Sequence, residues 1–367
     1  MSRHRDVLEM LSEARPGQLD RGPRPLDLNA ITAYPRDTTR RRRRRRLLVA
    51  GGLIPAVAAG ALAVSAVVVR LDAPPPASTA TGREASPPAT AQQLLLTAAD
   101  RVALERVADE KAIAGRYWVI KTEQGATRQV GPAGRPYDIL QKISQESWLA
   151  WTPKDQSRFF FQGLGAAPAT PADTAAWKRD GSPAKWTQPA PRGMKPVVIT
   201  AASGPRRLKT TRGTGFVLGG RRVSAAELST LPADPARLKA YLLKQDTTTG
   251  ETQTEYLFWS ANLLVLDMPV TPEVRAAAYR MMAGLKGVTT LGQVTDQQGR
   301  KGVAVAYTRR GDAGTLGQVR LIFDPRTGQA FAREFWNLGK SASGQGKLTS
   351  YTLVTSAAWS SATPPEK

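Results

Sequence analysis

At 367 residues the chain is long enough for two to three domains of ordinary size and a substantial core. Its 52 Lys and Arg outnumber 30 Asp and Glu, a net charge of +22, and it has no cysteine and one histidine, His4. Those last two counts exclude Ser-His-Asp and Cys-His nucleophilic catalysis, zinc sites of the His/Cys type and disulfide staples, leaving carboxylate, Lys, Tyr and Ser chemistry.

Residues 1–46 carry 13 basic and 6 acidic side chains, net +7, and only Asp6–Ala14 has helix-forming composition. The stripe of Val7, Leu8 and Leu11 spans about two turns, too little to fold alone, so this segment reads as a short basic cytoplasmic tail. Leu47–Val69 follows with 23 residues and no charged side chain. At about 1.5 Å per residue it makes a helix of about 35 Å, enough to cross a hydrocarbon core of roughly 30 Å. Pro55, Gly51, Gly52 and Gly60 do not oppose this, because membrane helices tolerate both residue types.

The run Arg40, Arg41, Arg42, Arg43, Arg44, Arg45 and Arg46 abuts the span on its N-terminal side, whereas Arg70 and Asp72 cancel on the other. That asymmetry orients the N-terminus to the cytoplasm and places the rest outside the membrane. Position against an apolar helix makes topology the reading of the poly-Arg run, with anionic lipid contact secondary and no nucleic-acid partner expected. A 46-residue n-region and so long an apolar stretch fit an uncleaved signal-anchor better than a cleaved signal peptide. Residues 70–90 hold Pro74, Pro75, Pro76, Pro87 and Pro88 among small residues and read as an extended linker.

From Arg70 onward 39 basic face 24 acidic residues, net +15. One extracytoplasmic domain is expected over residues 91–360, then a Pro-containing tail at 361–367. Gln92–Ala112 predicts an amphipathic helix with Leu95, Leu96, Ala99, Val102, Ala103 and Val107 near one face, lidding a sheet. Strand composition follows at Arg116–Thr122, Ser147–Trp151, Ser157–Gln162 and Thr214–Leu218, the last turning through Gly219-Gly220. The stretch Asp173–Trp186 reads as a loop anchored by two tryptophans around a Gly-Ser-Pro turn.

A helical block is predicted over Ser224–Gly284. Asp234 caps a helix beginning at Pro235, and Thr271 one beginning at Pro272. In the latter Val274, Ala277, Ala278, Met281 and Leu285 form a stripe, with Arg275, Tyr279 and Arg280 opposite. Glu255–Asp267 is apolar on almost every face and predicts full burial. Strands then return at Val288–Thr295, Gly302–Thr308, Val319–Phe323, Phe331–Trp336 and Lys347–Trp359, joined by tight turns such as Asp296–Gly299 and Asp324–Gly328. Consecutive hairpins without crossover helices make the sheet antiparallel: an α+β ectodomain, a curved antiparallel sheet with a helical block on one face.

The segments GRYWVIKTE, DTAAWKRDGSPAKW, LPADPARL, MPVTPEVRAAAYRMMAGLKGV, GQVTDQQGRKGVAVAY and LIFDPRTGQ, in that order behind an Arg-flanked span, resemble an uncharacterised family of single-pass membrane proteins of actinobacteria. The resemblance covers nearly the whole chain and rests on turn and packing residues. It implies an outward-facing anchor, a link to extracytoplasmic-function sigma factors, and an ectodomain similar to the half-barrel of lipoprotein carriers and envelope-stress sensors. Anti-sigma factors of the zinc type carry a His and Cys cluster in a larger cytoplasmic domain. The 46-residue tail here has only His4, which argues against direct sigma-factor sequestration.

No chemical motif stands out. Gly213, Gly215, Gly219 and Gly220 lack the Lys-Ser/Thr pair of a phosphate loop, and Asp296 and Asp324 fit turn capping better than acid-base work or a calcium site. No cofactor, metal set or catalytic residue is assigned. Trp118, Trp148 and Trp151 on the aromatic strands are the candidates to line a ligand site, and Arg206-Arg207, Arg221-Arg222 and Arg309-Arg310 the candidates to attract anionic lipid or wall polymer. The favoured expectation is a non-enzymatic, membrane-anchored extracytoplasmic binding or sensor protein. It would hold a lipid-like ligand, or a protein partner linked to envelope signalling, near the membrane. An interaction protein binding anionic envelope components is the alternative, and a carboxylate-dependent wall-glycan hydrolase with two acids in a cleft stands third.

Overall fold

The computed structural model describes residues 89–104, 115–188, 196–213, 215–246, 252–311, 314–341 and 346–366. Residues 1–46, expected as a cytoplasmic tail, the Leu47–Val69 stretch expected to span the membrane, with the Arg40–Arg46 run before it, and most of the expected linker lie outside the described residues. Among the described residues no helix is long and apolar enough to cross a membrane.

The fold is α+β. Its main element is a nine-stranded sheet in the order β6-β3-β2-β1-β13-β12-β11-β10-β9. The strands are β1 (Tyr117–Val130), β2 (Tyr137–Ala150), β3 (Gln156–Pro168), β6 (Arg206–Arg212), β9 (Val288–Thr295), β10 (Lys301–Arg310), β11 (Leu316–Phe323), β12 (Ala330–Gly339) and β13 (Lys347–Ser360). Every neighbouring pair is antiparallel. Two short hairpins stand apart: β4 (Lys185–Gln188) with β5 (Val197–Thr200), and β7 (Val217–Leu218) with β8 (Arg221–Arg222).

One sheet face is sealed by helices. α1 (Ala91–Leu104), α3 (Ala225–Ser229), α4 (Pro235–Lys244), α5 (Gln253–Leu266) and α6 (Pro272–Ala283) share a core with Trp118, Leu149, Phe159, Val303, Val305, Leu321 and Val354 of the sheet. The anticipated caps are present. Asp234 accepts from the amide of Arg237 and Thr271 from that of Val274, each ahead of a proline whose missing N–H costs nothing at that position. α5 is buried on nearly all sides, as its apolar sequence requires. At its end Asp267 receives Arg333 Nη1 at 3.1 Å and, through its carbonyl, Trp118 Nε1 at 3.1 Å, while the Arg333 guanidinium lies 4.4 Å over Trp259.

Three local readings change. α1 packs chiefly on α6 rather than lidding the sheet, which leaves Leu96 and Ala103 exposed and buries Ala98. Covering α6 on a second side is what buries Tyr279, placed by sequence on the polar face; its hydroxyl donates to the Gly328 carbonyl at 2.6 Å. The Asp173–Trp186 stretch holds a helix, α2 (Pro171–Arg179), capped by Thr170, before Trp186 enters β4. Both tryptophans do act as anchors. Trp186 packs with Tyr137, Ile139 and Ile199 and donates to Tyr137 Oη at 2.8 Å, and Trp177 donates to the Pro183 carbonyl at 3.0 Å.

Candidate functional site

The sheet face away from the helices carries an open groove of about 420 Å³. Its position follows from register. One row of paired residues crosses the sheet as Ala304, Ile322, Ala332, Leu353, Glu123, Ser144, Gln162 and Arg206. The row is apolar and buried as far as Leu353 and turns polar at Glu123, so the groove floor begins where β13 gives way to β1.

Two carboxylates organise the floor. Glu123 lies opposite Ser144 and Glu146 opposite Lys121, which makes the two acids diagonal cross-strand neighbours. Glu123 accepts from Tyr351 Oη at 2.7 Å and Gln298 Nε2 at 3.1 Å, with Lys142 Nζ at 3.8 Å. Glu146 accepts from Trp148 Nε1 at 2.8 Å and Arg206 Nη2 at 2.9 Å, with Lys121 Nζ at 3.9 Å. The Arg206 guanidinium lies 4.1 Å over the Phe160 ring, so Phe160 and Arg206 form one wall together. Burial, reinforced by the Glu123 carboxylate beside it, holds the Tyr351 hydroxyl well above the ordinary tyrosine range and keeps it a donor.

The opposite wall is the β9–β10 turn. Asp296 Oδ1 accepts from the amides of Gln298 and Arg300, both at 2.9 Å, the local capping expected from sequence. Its other oxygen receives Arg300 Nε at 2.6 Å, while Arg300 also donates to the carbonyls of Val354 at 2.7 Å and Phe331 at 3.2 Å. The turn is thereby pinned to the sheet, and Gln297 and Gln298 reach Glu334 and Glu123. Beyond it the Glu146–Trp148 arrangement recurs: Trp336 Nε1 donates to Glu334 at 2.8 Å and carries Arg320 stacked at 4.0 Å. Burial lowers the Arg320 pKa, opposed by the Glu334 charge.

The three tryptophans singled out by sequence do not converge. Trp118 and Trp151 lie on the helix side, edge-on to Trp359 at 5.4 and 4.8 Å. Trp148 lies on the open face and reaches the groove only through Glu146. Of the arginine pairs, Arg206 lines the groove, Arg221 pairs with Glu227 at 2.8 Å and Arg309 with Glu255 at 3.1 Å. Sequence reasoning missed Glu123, Glu146 and Tyr351. The available signal was Glu-x-Trp, present at Glu146–Trp148 and Glu334–Trp336, because residues two apart in a strand share a face. Among the described residues no group of three or more His, Asp or Glu side chains is placed to hold a metal ion.

Comparison with protein-family models, with curated proteins and with solved structures returned no match.

Proposed function

We propose that the chain is a non-enzymatic, membrane-anchored extracytoplasmic binding or sensor protein. Its open sheet face would hold a ligand or a protein partner linked to envelope signalling, in the manner of the half-barrel envelope sensors its sequence resembles. The observation that carries this reading is the groove itself. One sheet face is closed by helices, and the other presents fixed donors and acceptors around Glu123, Glu146, Lys121 and Arg206. Such preorganisation suits recognition. Each carboxylate accepts hydrogen bonds from two side-chain donors and has a lysine ammonium within 3.9 Å, so both acids are engaged by the chain's own groups. That arrangement supports binding over glycan hydrolysis, in which one of the paired acids must donate a proton. The polar lining favours a hydrogen-bonding ligand or partner over a lipid-like one.

The test is native mass spectrometry of the full chain purified gently from its own host, beside the Glu123→Gln/Arg206→Ala double variant. A polar adduct retained by the parent and lost from the variant is the expected result. Retained lipid unaffected by the variant, or turnover of wall polymers by the parent, would overturn it. A second reading draws on β6, an edge strand bearing Arg206, Arg207, Lys209 and Arg212. Cations along an exposed edge can bind anionic lipid headgroups or wall polymers, and that attachment must weaken as salt rises.

A further inference from the structure

Next to the groove, on the same sheet face, Tyr117, Trp148, Ala150 and Phe160 form a cluster, each less than a tenth exposed, that shares Phe160 with the groove wall. Trp148 meets Tyr117 edge-on at 6.0 Å. Among the described residues no helix covers this side, and the segment following β13 supplies the cover. β13 ends at Ser360, which pairs with Tyr117. Arg158, which lies opposite Trp148 in β3, then donates from Nη1 to the carbonyls of Pro364 at 3.0 Å and Pro365 at 2.6 Å. From β13 to β3 is three strand spacings, about 14 Å, and four residues of extended chain span about that distance. Residues 361–364 therefore cross β1 and β2 over the cluster, and Pro364 is buried although its neighbours in the segment are more exposed.

This arrangement has the parts of a polyproline receptor: an aromatic cluster on the face that the segment crosses, prolines that need no amide partner, and one cation donating to two successive proline carbonyls. We infer that the Tyr117–Trp148–Phe160 patch with Arg158 is a binding site for an extended proline-containing segment. The chain fills it in cis with Thr363–Glu366, and a proline-rich segment of a partner protein can displace that strap. The inference shares Phe160 with the groove wall but rests on the Arg158 contact with the strap, which is not part of the groove's lining, and stands whether or not the groove reading does.

The experiment compares the full chain with a chain lacking residues 362–367, using a fluorescein-labelled SATPPEK peptide and its SATAAEK counterpart. Anisotropy reports binding and tryptophan emission reports the Trp148 surroundings. A short tether holds the strap at an effective concentration on the order of 1 mM, so for a peptide Kd of about 0.1 mM the intact chain binds about tenfold more weakly than the shortened one. SATAAEK should not bind, and Arg158→Met in the shortened chain should abolish SATPPEK binding. Should the shortened chain fail to fold, the full-length Pro364→Ala/Pro365→Ala variant weakens the strap and leaves the receptor surface intact, and it too should bind SATPPEK more tightly than the parent. Equal binding by parent and strap variants, no binding by any folded variant, or equal affinity for both peptides would overturn the inference.

Discussion

Gly125→Ala separates the packing argument for the groove from simple backbone propensity. Gly125 sits in mid-strand opposite Tyr351, and its φ is not among the positive values that demand glycine. By propensity alone alanine there should stabilise the strand by about 0.5–1 kcal/mol. The structure reverses the sign. A Cβ at this position would stand 2.8 Å from Tyr351 Cδ1 and nearer still to Cε1 and Cζ, on a ring that is 1% exposed. Carbon atoms rest about 3.5–4.0 Å apart, so the ring must retreat by about 1 Å or more, which draws its hydroxyl off Glu123. Overpacking of this kind costs about 1–3 kcal/mol, and the hydrogen bond to a charged acceptor about 1.5–3 kcal/mol more. Net of the propensity gain, destabilisation of about 1.5–5.5 kcal/mol is expected, read as a fall in the urea midpoint at unchanged slope. In a Tyr351→Ala background the same substitution should cost less than 0.5 kcal/mol or stabilise, since the obstacle is gone. A stabilising Gly125→Ala in the parent, or an equal cost in both backgrounds, would refute the account of why the groove floor needs a bare backbone there.

Tyr279→Phe should cost about 1–3 kcal/mol in the same assay by leaving the buried Gly328 carbonyl without its donor, whereas a surface tyrosine would show almost no change. Arg333→Met should cost about 2–4 kcal/mol, because Asp267 loses its cation while staying mostly buried; a neutral result would mean that water replaces the guanidinium. The Glu227 carboxylate is held below its ordinary pKa first by the Ser224 amide of its capping box and then by Arg221. A depressed folded pKa means stability present above the unfolded Glu value and lost as pH falls through the folded one. Glu227→Gln should therefore flatten part of the acid limb below about pH 4.3 and leave the slope between about pH 7 and pH 8 unchanged, as followed by urea titration at each pH.

Much of this architecture was legible because local rules and burial agreed. The DPRTG turn, the Asp234-Pro235 and Thr271-Pro272 helix starts and the all-apolar Glu255–Asp267 helix each follow from residue types at fixed offsets. The hairpin of β1 and β2 was half legible. Arg116–Thr122 and Ser147–Trp151 read as strand, but β1 and β2 run to 14 residues each through EQGATRQV and YDILQKISQE, segments of largely polar side chains. Periodicity sees a strand by its buried face, and between the main helical block and α2, whose Ala176 and Trp177 pack on Val130, Tyr137 and Ile139 at the far end, these strands are mostly polar. β6 escaped for the same reason: RRLKTTR has no inward apolar residue to mark it, and its strand character comes from pairing with β3.

That blind spot coincides with the candidate site. A strand segment whose side chains pair with each other across a solvated face carries no hydrophobic alternation, so the places where the sheet is free to bind something are those where composition looks like loop. The two Glu-x-Trp steps break the pattern, since an indole beside a carboxylate two residues away has an obligatory donor and a matching acceptor on one face. Read in that way, Glu146–Trp148 and Glu334–Trp336 mark the open face of β2 and β12 without any knowledge of the fold. Arg206 and Arg320 complete each unit by stacking on Phe160 and Trp336, two side chains drawn from neighbouring strands. Their partnership depends on strand order, β3 beside β6 and β11 beside β12, which only the folded sheet supplies.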